Sequence, residues 1–301
     1  MAAPIITILG GGDFGTAITL LLAKKHRGKT TTIRVWSRSR LARPLPAAIT
    51  VTKKLSAALD GATLIINAIP SAATPAYLPA IRRARPRYFL NTAKGLVKGK
   101  TISQLARFDR RTSYAALGGP NIASQLVGNL DLPKNRAQRF TAALATRHVT
   151  DYRAIAALLS CPPYLTLHYT IDVYGVELCG ALKQVYAMAF CYLLEQGALT
   201  EKVLLKKISG EVKRFLSALG ADPQTFEATP AGLADLVVTC HWGRHGKAGA
   251  MLARGKTLSS ITRQPRFAHL EAVGFLPDIQ KLIKKHRLDV PVLETLLTTT
   301  N

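Results

Sequence analysis

Six residues near the N-terminus, Gly10-Gly11-Gly12-Asp13-Phe14-Gly15, constrain this chain more than any other feature. They follow the β-branched run 4–9 and lead directly into Thr16-Ala17-Ile18-Thr19-Leu20-Leu21-Leu22-Ala23, so Gly10-x-Gly12-x-x-Gly15 falls where a strand turns into a helix. Each glycine then has a physical task. Gly10 allows the tight turn, Gly12 lets backbone approach a pyrophosphate, and Gly15 lets the helix pack closely on the strand. The helix start at Asp13 and Phe14 faces those phosphates. A glycine-rich turn with no ligand is the bland reading of the pattern, and the strand–helix–strand context favours nucleotide binding over it.

The context extends well beyond the turn. A second strand over 32–36 comes at the distance a crossover needs, and helix-like stretches at 55–60, 76–83 and 102–107 alternate with strands at 63–69, 88–92 and 114–117. This rhythm predicts a parallel sheet covered on both faces, an α/β fold of the Rossmann-like, doubly wound kind. Near Cys161-Pro162-Pro163 the style changes, because proline stops regular pairing. Segments 176–194, 201–218, 230–241, 246–254 and 268–286 then have helical spacing or composition. The expected organisation is a dinucleotide-binding domain over 1–165 and an all-α substrate and catalytic domain over 166–301.

Composition excludes several classes. With 48% apolar and 19% charged residues over 301 positions, the chain can bury two cores and is neither disordered nor fibrous. No run of eighteen apolar residues lacks a charge or glycine turn, and no basic stretch precedes an apolar one at the N-terminus. The sequence therefore predicts no membrane span and a cytoplasmic location. Cys161, Cys179, Cys191 and Cys240 fall singly, which predicts reduced thiols. His168, His241 and His245 lack metal-ligand spacing, so no metal is expected.

Charge is the abnormal quantity. There are 41 Lys and Arg against 17 Asp and Glu, a net +24; residues 1–150 hold 24 of the basic side chains and only 4 of the acidic ones. Such an imbalance suits a phosphate-bearing cofactor and substrate, nucleic acid, or acidic partners, and it also suits an organism whose proteins are all basic.

Several residues carry chemistry by their setting. After strand 32–36, where an acid usually meets the ribose hydroxyls of NAD, the chain reads Ser37-Arg38-Ser39-Arg40. Arg38 could accept a 2′-phosphate, which favours NADP(H) over NAD(H), although both arginines could simply be solvated. Lys183 and Gln184 are the only strongly polar residues from 178 to 194. An ammonium there is costly unless paired or functional, and desolvation moves its pKa toward the range useful for proton transfer. A lysine snorkelling to the surface is the alternative. Asp235 is the same oddity with opposite sign, and each could answer the other; a helix-cap role is its ordinary alternative. Lys94 follows strand 88–92, at the carboxyl edge where doubly wound sheets bind ligands. Arg244 offers a planar fork for phosphate, or merely a basic helix start.

Taken in order along the chain, the glycine turn, Ala68-Ile69-Pro70-Ser71, Thr92-Ala93-Lys94-Gly95, Gly119-Pro120-Asn121-Ile122-Ala123, the segment 175–183 ending in Lys183, and the segment 231–240 containing Asp235 resemble the soluble NAD(P)-dependent glycerol-3-phosphate dehydrogenases. The last two blocks are the most specific. The resemblance implies reversible reduction of dihydroxyacetone phosphate to sn-glycerol 3-phosphate, and a homodimer. It implies Lys183 as the proton donor and acceptor, Asp235 as the acid that holds it, and Lys94 as a second lysine near substrate and nicotinamide. Gly119 and Asn121 match a substrate loop, Ala123 a cofactor contact, Arg244 the phosphate clamp with cofactor contact, Thr239 an active-site threonine, and Glu271 a cofactor contact.

The departures fall at the same places. Gln184 and His245 stand where the family usually has Asn, Ala272 follows Glu271 where the family has Gly, and the chain is shorter than typical members. His245 remains a candidate substrate contact. The alternative function is a family member without turnover that binds a nucleotide or nucleic acid.

Overall fold

The computed structural model describes residues 3–197, 199–268 and 270–300. His269, within the expected helical segment 268–286, lies outside the described residues. The chain divides into two compact units. One comprises residues 1–93, 102–117 and 121–173; the other comprises 94–101, 118–120 and 174–301. The first unit runs on past 165, to 173, and the second takes in two short pieces from earlier in the chain.

The first unit is built on eight strands: β1 (Ile5–Leu9), β2 (Thr32–Trp36), β3 (Thr50–Thr52), β4 (Leu64–Asn67), β5 (Tyr88–Asn91), β6 (Ser113–Gly118), β7 (Thr141–Thr146) and β8 (Thr166–Thr170). They form one sheet in the order β3-β2-β1-β4-β5-β6-β7-β8. The registers of β1 with β2 and β4, of β2 with β3, of β4 with β5, of β5 with β6 and of β7 with β8 are parallel. All four residues of β4 and of β5 are buried, as expected of central strands covered on both faces. The helices are α1 (Asp13–Lys25), α2 (Leu55–Leu59), α3 (Leu78–Ala84), α4 (Ile102–Ala106), α5 (Ala123–Leu130) and α6 (Val149–Leu159). Ala17, Ile18, Leu21 and Leu22 of α1 are buried in the same core as Ile6, Ile8, Leu64 and Leu90. This is the doubly wound α/β arrangement the alternation predicts. The strands β7 and β8 and the helices α5 and α6 extend it through a stretch, 118–170, in which the sequence shows no clear rhythm.

The second unit is all helical: α7 (Val173–Glu195), α8 (Glu201–Ala218), α9 (Thr225–Ala228), α10 (Leu233–Trp242), α11 (Arg244–Ala253), α12 (Leu258–Thr262), α13 (Glu271–His286) and α14 (Pro291–Thr300). Helix α7 is its axis, buried on every side from Gly175 to Phe190. A helix apolar all round belongs inside a core, and Leu182, Tyr186 and Phe190 pack there with Leu204, Ile208 and Phe215 of α8 and Phe275 and Ile279 of α13. The buried Glu211 of α8 accepts hydrogen bonds from the Tyr186 hydroxyl (3.0 Å) and from the Val292 and Leu293 amides that begin α14. A distant carboxylate thus supplies a cap that α14 lacks locally.

Candidate active site

The glycine turn has the geometry its spacing predicts. Gly10 has φ +117°, in the region that favours glycine, and a Cβ at Gly15 would stand 2.0 Å from the Gly10 carbonyl oxygen. A Cβ at Gly12 would meet nothing within 4 Å, so the space in front of the α1 N-terminus is open. No side chain caps that end of α1. Uncapped amides, the positive end of the helix dipole and room for close backbone approach are what a pyrophosphate needs, so these residues fit a dinucleotide. Asp13 and Phe14 form the first turn of α1. Arg38 is exposed beyond β2, 6.0 Å from the Tyr77 ring centroid. Ala123 opens α5, and Asn121 donates from Nδ2 to the Thr141 carbonyl at 3.1 Å while its Oδ1 is buried without a partner.

In the helical unit, Lys94, Gly119, Lys183, Asp235 and Thr239 form a single hydrogen-bonded cluster. Lys183 Nζ lies 2.5 Å from Asp235 Oδ1 and donates to Thr239 Oγ1 at 2.9 Å. Lys94 Nζ donates to the other carboxylate oxygen, Oδ2, at 3.0 Å and to the Gly119 carbonyl at 3.2 Å. One carboxylate therefore lies between two ammonium groups. Asp235 is 2% exposed and Lys183 7% by side chain, whereas Lys94 reaches 21%. Asp235 sits in the first turn of α10, but its side chain does not cap that helix and faces the lysines instead. Snorkelling of Lys183 to the surface is likewise excluded by its burial.

Burial is what most perturbs Lys183. Loss of water lowers its pKa from 10.5 to about 7; the Asp235 carboxylate opposes this and the Lys94 charge adds to it. A buried lysine next to a carboxylate would ordinarily stay charged, but the second cation shares the same carboxylate. At neutral pH this amine therefore exchanges its proton readily.

Thr239 positions the amine as well as touching it. Its hydroxyl donates to the Asp235 carbonyl one helical turn earlier, at 2.7 Å, which leaves its lone pairs toward Lys183. Gly243 alone links α10 to α11, and a Cβ on it would sit 2.4 Å from the Thr239 carbonyl oxygen. The tight link places Arg244 and His245 at the start of α11. Arg244 is exposed. His245 Nε2 is buried without a partner, and burial, reinforced by the charges of Lys183 and Arg244, lowers its pKa from 6.5 to about 3. The imidazole is therefore neutral at physiological pH. Glu271 is the first residue of α13, half-buried.

Two hydrogen-bond arrangements escape a sequence reading of the site. Gln184 Nε2 donates to the Lys94 carbonyl at 2.6 Å, and its Oε1 is buried with no partner. The glutamine thus fixes the backbone that carries the second lysine; its polarity inside an apolar helix was the available signal. In the sheet unit, Asn67 Nδ2 donates to Asn91 Oδ1 (2.9 Å) and to Thr74 Oγ1 (3.0 Å), tying the ends of β4 and β5 together. An asparagine closing the buried run Leu64-Ile65-Ile66 was the hint there.

Comparison with known proteins identifies a family. A family model described as the NAD-dependent glycerol-3-phosphate dehydrogenase N-terminus matches residues 40–130, and the corresponding C-terminus model matches 172–300. The chain is 31% identical over 277 residues to the glycerol-3-phosphate dehydrogenase [NAD(P)+] of Alcanivorax borkumensis, covering 83% of this chain and 76% of that one. It is 30% identical to the protein of that name from Geobacillus thermodenitrificans, covering 97% of this chain and 89% of the other. Among solved structures, glycerol-3-phosphate dehydrogenase from Coxiella burnetii superposes with a TM-score of 0.82 at 23% identity, over 97% of this chain and 92% of that one.

Proposed function

The chain belongs to the NAD-dependent glycerol-3-phosphate dehydrogenase family, and from that premise we propose that it reversibly reduces dihydroxyacetone phosphate to sn-glycerol 3-phosphate, with Lys183 as general acid and base. The observation that carries this reading is the bonding of Lys183 Nζ. Two of its positions are taken by Asp235 and Thr239, and the neighbouring Lys94 charge weakens its hold on the remaining proton. As an ammonium it keeps one N–H for a nascent alkoxide; as a neutral amine it keeps one lone pair for a hydroxyl proton. A pKa of about 7 makes both forms available in the cell's pH range.

The nicotinamide coenzyme supplies or accepts the hydride at the central carbon of the substrate. Gly10, Gly12, Gly15 and the first turn of α1 would hold its pyrophosphate, with Ala123 and Glu271 as further contacts by the family pattern. Arg38, with no acid beside it, favours NADP(H) over NAD(H). Asp235 holds the reacting amine in place, and Lys94, fixed by Gln184 and Gly119, brings a second positive charge to an anionic substrate. Arg244 is suited to clamp the phosphate, since its fork is exposed and lacks any described partner. The family pattern adds Gly119, Asn121 and His245 as substrate contacts. A neutral His245 can offer a hydrogen bond without adding a charge.

The test is oxidation of NADPH and of NADH with dihydroxyacetone phosphate by the native protein and by Lys183→Ala. The expected loss in the variant is about 10²–10⁴-fold in kcat. Equal rates would remove Lys183 from the mechanism. No turnover by the native protein with either coenzyme would leave the competing reading, a nucleotide- or nucleic-acid-binding member, which Gln184, His245 and the basic first half favour.

A further inference from the structure

A cavity lies in the sheet unit, at the end of α1 opposite to the glycine turn. It encloses about 590 Å³, within the range of roughly 300–1,000 Å³ typical of small-molecule sites. Beside the polar Thr31 and His26, its walls include the apolar side chains of Leu20 of α1, Ile33 of β2, Ile49, and Val127 and Leu130 of α5. Five such side chains around one recess make a surface that water wets poorly and an alkyl chain wets well.

The charged groups around it are unequally engaged. Lys24 Nζ donates to the Leu130 carbonyl at 2.8 Å and lies 4.6 Å from the centre of the Tyr164 ring, so its head is occupied and only its stem lines the wall. His26 is held through Nε2 by the Leu158 carbonyl at 2.9 Å. Arg27 and Lys29, by contrast, are exposed cations whose side chains have no hydrogen bond or ion pair among the described residues. Asp131 is the only acid on the lining. A recess with apolar walls and two uncommitted cations at its edge matches a molecule with one alkyl chain and one anionic head. A nucleotide would leave its sugar hydroxyls against aliphatic walls, and a flat polyanion would not enter the recess.

We propose that this cavity binds a single-chain amphiphilic anion of the fatty-carboxylate class, with its chain against Ile33, Ile49 and Val127 and its carboxylate on Arg27 and Lys29. Helix α1 has 13 residues, a length of about 20 Å, and separates this cavity from the glycine turn. Amphiphile and dinucleotide should therefore bind together, not in competition.

The experiment is isothermal titration of the full chain with octanoate, decanoate and dodecanoate, each below its micelle-forming concentration, at about 0.15 M salt. The expected result is one saturable site, with affinity rising about fourfold per methylene. Arg27→Glu combined with Lys29→Glu should weaken dodecanoate binding by at least about tenfold. Val127→Trp should abolish it while far-UV circular dichroism and dinucleotide affinity stay unchanged. Ala48→Trp, on the exposed side of the same cavity, serves as a second blocking variant should Val127→Trp disturb folding. Absence of saturable binding would overturn the proposal. So would equal affinity for dodecanol, which lacks the charge, or adsorption to anionic vesicles that survives both tryptophan variants, which would mark a basic surface in place of a cavity.

Discussion

The two units use charge in opposite ways. The sheet unit carries 22 basic side chains against 6 acidic ones, and the cations there that stand near ligand surfaces, Arg27, Lys29 and Arg38, are exposed to water. The helical unit buries the charges that matter: Lys183 and Asp235 lie within a core of Leu, Ala and Phe side chains. A solvated cation attracts phosphate from a distance, and water and salt screen it. A desolvated one holds its proton loosely, because water no longer stabilises the charge. Recognition is thus assigned to exposed charge and backbone, and proton transfer to buried charge.

The sharpest way to break this contrast is to remove one lysine from each unit. Lys183→Ala should cost about 10²–10⁴-fold in kcat, whereas Lys29→Ala should leave kcat unchanged; steady-state assays with dihydroxyacetone phosphate compare them directly. Next in size is Asp235→Asn. It leaves two neighbouring cations with no counter-charge, one of them buried, and should destabilise the helical unit by about 3–5 kcal/mol in urea titration. Lost activity with unchanged stability would show that the pair is not energetically coupled.

In the sheet unit the comparable lesion is steric. Gly15→Ala puts a methyl against the Gly10 carbonyl and should raise the KM for coenzyme by about tenfold or more through a shift of α1, with a smaller effect on the substrate KM. The pH profile should separate the two directions of reaction. The folded pKa of Lys183 is lowered, to about 7, so oxidation, which uses the neutral amine, should rise as pH passes 7 and then level off. Reduction, which uses the ammonium, should fall over the same interval. Stability is linked with a definite sign: between about 7 and 10.5 the unfolded chain binds the proton that the folded one has released, so this group's contribution to stability grows with pH across that window. A Lys183→Met variant should lose that dependence. The smallest expected effect is on coenzyme choice. Arg38→Ala should reduce the ratio of kcat/KM for NADPH over NADH by about tenfold, as loss of one exposed charge-assisted contact would.

Parts of the site were legible because they break a local rule. Lys183 and Asp235 are charges in apolar helices, and each such exception costs stability unless it has a partner or a use. The glycine turn was legible because its chemistry is backbone chemistry set by three adjacent positions. Gln184 was visible as a polar residue, but its bond to the Lys94 carbonyl joins positions 90 residues apart, and nothing local announces that. The pairing of β7 with β8 was unread for a related reason. Thr141–Thr146 is alanine-rich, and β8 is half-exposed with adjacent outward residues, His168 and Tyr169. Neither shows the alternation that marks a strand.

The amino-acid order by itself determined the α/β alternation, the phosphate-ready turn, the change to helices, and which residues were too polar for their surroundings. Only the tertiary structure decided that a single carboxylate serves two lysines, that one of these is buried, and that a basic, partly apolar recess lies at the far end of α1. The division has a physical origin. Periodicity and turn chemistry act between neighbours in the chain, whereas burial and Coulomb energy depend on distances that exist only once the chain has folded.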